Sequence, residues 1–174
     1  MLERIIYSLW HVTSAMEVTR RHHLRGDEIA AIRERVGELF GVPLDGDTFE
    51  SVEFADADWR IVLIDGEPLI LRMDDDDVLT VRGANAVSPS RRVVVVDAGA
   101  VRFVSDGADI MRPGIVEADE SIEPGDPVLI AEETHGKVLA VGRSRVAGTE
   151  LLGDAGKVID SIHHVGDEIF GFTG

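Results

Sequence analysis

Four consecutive valines, Val93 to Val96, closed off by Arg92 and Asp97, constrain the fold of this 174-residue chain more than any other stretch. A β-branched run this short has no helical period and crowds a helix at χ1, so it predicts a strand buried on both faces. Beyond the valines the chain is punctuated every few residues. Ala98 to Val104 predicts a short helix stopped at Gly107. Pro113-Gly114 marks a turn before an extended Ile115 to Glu117, and Pro124-Gly125-Asp126 a turn before Val128 to Ala131. Lys137 to Val141 extends again after Gly136, Gly148 to Ile159 predicts a second helix, and Glu168 to Phe172 a closing strand. Short strands at this spacing, with two short helices, predict a small mixed β-barrel.

The first half reads differently. Arg20, Arg21, His22, His23 and Arg25 form a dense basic cluster ahead of a helix. Asp27 is the expected N-cap of that helix and Glu28 suits its first turn. Ile29, Ile32, Val36, Leu39 and Phe40 fall at helical spacing, and Gly41-Val42-Pro43 ends the pattern. Strands are expected over Ser51 to Phe54, Trp59 to Ile64, Pro68 to Met73 and Val78 to Val81, with Asp65-Gly66 a hairpin turn because both turn positions need positive φ. Asp74 to Asp77 reads as a solvated turn and Gly83 to Arg91 as a connection. The expected class is α+β: an N-terminal α/β domain over residues 1–91, of which 1–15 form a possible extension, and a second domain over 92–174.

The chain lacks cysteine, which removes disulfide scaffolds, thiol nucleophiles and cysteine-based zinc sites and fits a reducing cytoplasm. No apolar stretch approaches the ~20 residues of a membrane helix, so a soluble protein with no membrane partner is expected. The net charge is −16, and it is evenly spread: residues 1–91 hold 10 Lys/Arg against 18 Asp/Glu, and residues 92–174 hold 7 against 15. An even acidic coat with two lysines and 15 arginines suits concentrated salt, and a halophilic source is expected. In molar salt the Debye length is roughly 3 Å, so such a coat does not exclude RNA.

From Val96-Asp97-Ala98-Gly99-Ala100 through Phe103-Val104-Ser105-Asp106-Gly107-Ala108-Asp109-Ile110-Met111-Arg112-Pro113-Gly114-Ile115, the second half resembles the PUA domain. Pro124-Gly125-Asp126-Pro127-Val128, Ala140-Val141-Gly142-Arg143, Gly156-Lys157 and Gly166-Asp167-Glu168-Ile169-Phe170 come next in the family's order. The first half is similar, more loosely, to the pre-PUA domain of the malignant T-cell amplified sequence and ligatin proteins, and the pair of domains to the C-terminal part of archaeal tRNA-guanine transglycosylase. The resemblance implies an archaeal RNA-binding protein that acts in translation, on tRNA or small-subunit rRNA. It also implies a pre-PUA-like domain followed by a PUA barrel.

The expected RNA face joins Gly107, Ala108, Asp109, Met111, Arg112, Pro113 and Gly114 to Arg143, Arg145 and Lys157. Small residues let a ligand backbone approach closely, and a guanidinium beside an apolar wall suits phosphate next to a ribose or base. The bland alternatives are that the glycines serve the fold and that Arg143 and Arg145, two apart on a strand, line a solvated edge. Arg102 reads as exposed and idle. His22-His23 and His163-His164 are adjacent on strands and point to opposite faces, so neither pair predicts a metal site. No nucleotide loop or nucleophile elbow is present, and a binder without cofactor or metal, rather than an enzyme, is expected. Two further readings are an accessory tRNA-binding module for a separately encoded modification enzyme, and a protein-interaction scaffold.

Overall fold

The computed structural model describes residues 16–74 and 76–174; the possible extension over residues 1–15 lies outside them. The first half is an antiparallel meander of β1 (Val18–His23), β2 (Phe49–Phe54), β3 (Arg60–Ile64), β4 (Glu67–Met73) and β5 (Asp76–Leu79), in that spatial order. Helix α1 (Gly26–Phe40) joins β1 to β2 and buries Ile32, Val36 and Phe40, the stripe its periodicity predicts. Its start differs from expectation. The helix begins one residue before Asp27, and the Glu28 carboxylate reaches back to accept the Arg25 N–H. Gly41 closes it at φ 69°, and Asp65 and Gly66, at φ 50° and 85°, make the expected hairpin turn.

Apart from Arg25, at the N-cap of α1, the basic cluster lies on strand β1, an exposed edge whose Arg21 pairs with Glu50. The acidic run is not a solvated turn throughout. Asp76 and Asp77 are strand residues, Asp76 held by Arg35 and Arg143 and Asp77 by Arg72. Strand β5 stops at Leu79, and residues expected as strand end and connection form α2 (Val81–Val87). Thr80 caps that helix, its hydroxyl accepting from Gly83 N–H at 2.9 Å while donating to Pro68 O at 2.8 Å. Gly83 is needed there, since a Cβ would sit 2.1 Å from the Leu69 carbonyl oxygen.

The second half is a six-stranded mixed sheet. In chain order it is built from β6 (Val93–Val96), α3 (Ala98–Ser105), β7 (Ile110–Met111), β8 (Ile115–Ala118), β9 (Pro127–Glu132), β10 (Val138–Ser144), β11 (Lys157–His164) and α4 (Glu168–Gly171). The spatial order is β7-β11-β10-β9-β6-β8, with β6 and β9 parallel and the other neighbours antiparallel. The two edges, β7 and β8, are joined by a single 3-10 turn, Arg112–Gly114, so the sheet has to curl until its edges meet. Two expectations fail here. Gly148 to Ile159 is a 3-10 turn, a loop and the start of β11, because Gly153 and Gly156 take φ 159° and 104° and break any helix. Glu168 to Phe172 is a one-turn helix, capped by Asp167 accepting from Phe170 N–H at 2.8 Å.

The curled sheet divides two cores. On β9, Val128 and Ile130 face the core inside the curl, while Leu129 and Ala131 join the core that contains Phe40, Ile61 and Leu71 from the first half. The valine run splits likewise, Val94 and Val96 packing inside and Val93 outside. Polar ties cross the same junction. Asn85 exchanges two hydrogen bonds with the Val138 backbone, and Arg92 donates to the Glu38 and Leu39 carbonyls at the end of α1. The ring of His163, fully buried, accepts from Val81 N–H at Nε2 and donates from Nδ1 to Asp167. One tautomer meets both partners.

Candidate nucleic-acid interface

Helix α3 lies against the seam where the sheet closes, and between the helix and β7 runs a groove of about 420 Å³. Its walls are Asp97, Gly99, Ala100, Phe103 and Val104 on one side and Ala108 to Met111, Pro113 and Gly114 on the other. Small residues set its shape: a Cβ on Gly114 would lie 2.9 Å from that of Ala100. Apolar side chains remain exposed at its lips, Phe103 at 60% and Met111 at 50%. A large apolar group left in water beside a cleft marks a contact surface. Arg102 makes no ion pair among the described residues, and its guanidinium carbon stands 5.9 Å from the Phe103 ring centre.

Of the residues expected at an RNA face, Ala108, Asp109, Met111, Pro113 and Gly114 line this groove. Lys157 is brought alongside, opposite Met111 in the β7–β11 pairing, with its ammonium 3.1 Å from Asp109 Oδ2. The Ser161 amide and then the Lys157 ammonium hold the Asp109 carboxyl below the usual carboxylate range. Gly107 and Arg112 serve the fold. At φ 87° Gly107 ends α3 where a Cβ would meet the His164 ring at 2.6 Å. The Arg112 guanidinium turns away from the groove lining and donates to Glu150 O and Ala155 O, both at 2.9 Å. Gly153 and Gly156 leave room for it, since a Cβ on either would come within 3.0 Å of that side chain.

Arg143 and Arg145 do not converge on one tract. Arg143 binds Asp76 and the Gly125 carbonyl at the junction with the first half, whereas Arg145 forms a fork with Asp160 on β11. The missed groove residues are Asp97, Gly99, Ala100, Phe103 and Val104. Phe103 carries no signal of its exposure: it stands one residue, about 100° of helix turn, from the buried Val104, where a large apolar side chain reads as core.

A curled mixed sheet closed through a 3-10 turn, with a helix and a glycine-shaped groove at its seam, defines a PUA domain protein, and the PUA domain family model matches residues 92–166. An uncharacterized protein of Methanocaldococcus jannaschii is 36% identical over 166 residues, spanning 91% of this chain and 100% of that one. Translation machinery-associated protein 20 of Saccharomyces cerevisiae is 31% identical over 121 residues, 66% of this chain and 67% of that one. The crystal structure of a hypothetical protein from Pyrococcus horikoshii superposes with a TM-score of 0.80 at 31% identity, covering 89% of this chain and 100% of that one. The chain belongs to the family of PUA domain proteins, the one its second-half motifs resemble, with relatives in archaea and in yeast.

Proposed function

We propose that this chain binds RNA without catalysing a reaction. An unstacked base lies in the groove between α3 and β7, against Phe103 and Met111, and the adjoining phosphates meet Arg102 and Lys157. The observation that carries this reading is the pair of large apolar side chains left in water on either lip of an apolar groove. Stacking of a base on an aromatic ring such as that of Phe103 is worth about 1–3 kcal/mol, and apolar contact of this kind is indifferent to the salt that screens phosphate contacts. Residues 92–174 form the binding unit and the pre-PUA-like residues before them its companion. The role is in translation, on tRNA or small-subunit rRNA, a reading supported by the PUA match and by a relative named for the translation machinery.

Sequencing of RNA recovered with the protein by crosslinking at native salt tests the assignment. Small-subunit rRNA is expected, or tRNA held on the ribosome. Free tRNA with no rRNA points instead to an accessory module for a modification enzyme, and recovery of neither sinks the RNA role. Phe103→Ala and Met111→Ala should each weaken binding while leaving its salt dependence unchanged.

A further inference from the structure

Each cation that the sequence nominates for phosphate already holds a partner in the free protein, and one of those partners, Asp109, lines the groove. Lys157 contacts Asp109 at 3.1 Å, and Arg145 meets both carboxylate oxygens of Asp160 at 3.0 Å. Both pairs belong to β11 and its neighbours. Asp109 also accepts from Ser161 N–H on that strand, and Asp160 lies three residues from Lys157. The four charges act on one another and sum to zero. All four side chains are open to water, between 36% and 46% exposed.

We infer that Asp109 and Asp160 set the ligand class of the groove by competing with RNA phosphate for Lys157 and Arg145, so that the site selects unstacked single-stranded bases over duplex backbone. The inference rests on the RNA reading of the groove. A phosphate that reaches either cation must displace a carboxylate, and the freed carboxylate stays within the interface. Neutralising a phosphate normally releases a condensed counterion, which makes affinity fall with salt by roughly 0.7 per contact for single strands. Here the displaced carboxylate returns one negative charge for each one neutralised, so the release nearly cancels. Duplex RNA presents mostly phosphate and ribose, with its bases stacked away. Beyond Arg102, which holds no carboxylate among the described residues, it therefore gains little from this surface. A single strand gains the stack on Phe103 and Met111 as well.

The test uses the full chain and two probes, a single-stranded oligoribonucleotide and the same strand annealed to its complement, in fluorescence anisotropy across a potassium chloride series. Asp109→Asn keeps an amide oxygen for the Ser161 N–H, and Asp160→Asn removes a charge from a side chain whose partner is Arg145. Each variant should bind both probes several-fold more tightly in dilute salt and steepen the single-strand salt slope by roughly 0.7. The preference for single strand over duplex should narrow, most of all in the double variant. Unchanged affinity and slope in the double variant, or weaker binding, overturns the inference. Should the wild-type chain bind and Phe103→Ala weaken it while the aspartate variants stay silent, this inference alone fails. Should neither the wild type nor any variant bind either probe, the RNA reading fails and takes the inference with it.

Discussion

The two sheets are connected in opposite ways. In the five-stranded sheet the strands stand in sequence order and each pairs with its predecessor. In the six-stranded sheet β6 sits between β8 and β9, and β11 sits between β7 and β10, so Met111 finds its partner at Lys157. The first arrangement follows chain order, with helix α1 inside its first connection, while the second rests on contacts that no local signal encodes. Local chemistry therefore builds the companion half, and long-range pairing builds the half that carries the groove.

The largest test of this difference uses neighbours on β9. Leu129→Ala and Ile130→Ala each remove a fully buried side chain, and each should cost about 2–5 kcal/mol in chemical denaturation. Their effects should separate in amide exchange. Leu129 packs in the core shared with the meander, so its loss should raise exchange in both sheets. Ile130 packs inside the curl, and its loss should leave the meander protected. Equal spread from both variants would show that the two cores melt as one.

Next in size is the Asp167 contact that orients His163, the ring that ties the second half to Val81 of the first. Asp167→Ala leaves the buried ring nitrogen and two N–H groups without an acceptor and should destabilise by about 1–3 kcal/mol. Burial by itself would raise the Asp167 carboxyl, but hydrogen bonds from His163 and from the Phe170 and His164 amides bring it below its ordinary value. Its contribution is therefore present above the unfolded carboxylate pKa and is lost as pH falls through the lower folded value. Acid titrations of the variant should lack that part of the wild-type loss.

Smaller still is Arg112→Lys, which keeps the charge and breaks the fork to Glu150 O and Ala155 O. It should cost about 1 kcal/mol and leave the salt slope of RNA binding unchanged. A flatter slope would return Arg112 to the phosphate role its sequence position invites. The smallest effect concerns the acidic coat. Moving from dilute to molar potassium chloride should raise the melting temperature by about 2–4 °C, roughly 1 kcal/mol at this size. Melting that is indifferent to salt would count against a halophilic origin.

Legibility in the sequence divides along the same line. The periodicity of α1, the Asp65-Gly66 turn and the valine strand are readable because each rests on neighbouring residues. Helix α2 escapes such a reading because Gly83 looks like a breaker, and its reason for being there, the Leu69 backbone packed against it, lies on another strand. The start of strand β11 passes for helix because Gly148-Thr149-Glu150-Leu151-Leu152 has helical character that two positive-φ glycines then cancel. At the groove, the segment 108–114 is found by its motif. The cations are nominated by residue type, and their actual partners, Asp109, Asp160, Asp76 and three backbone carbonyls, are visible only once the sheet has curled.

The seam joined by residues 112–114 also dictates when the groove can exist. Every residue of both walls has been synthesised by residue 114, but β7 has no neighbour in the sheet until β11 arrives, more than forty residues later. A growing chain on the ribosome therefore carries Phe103 and Met111 without the strand that fixes their spacing. The groove takes its final shape only when β11 has paired with β7, a closing step that comes well after its own residues are made.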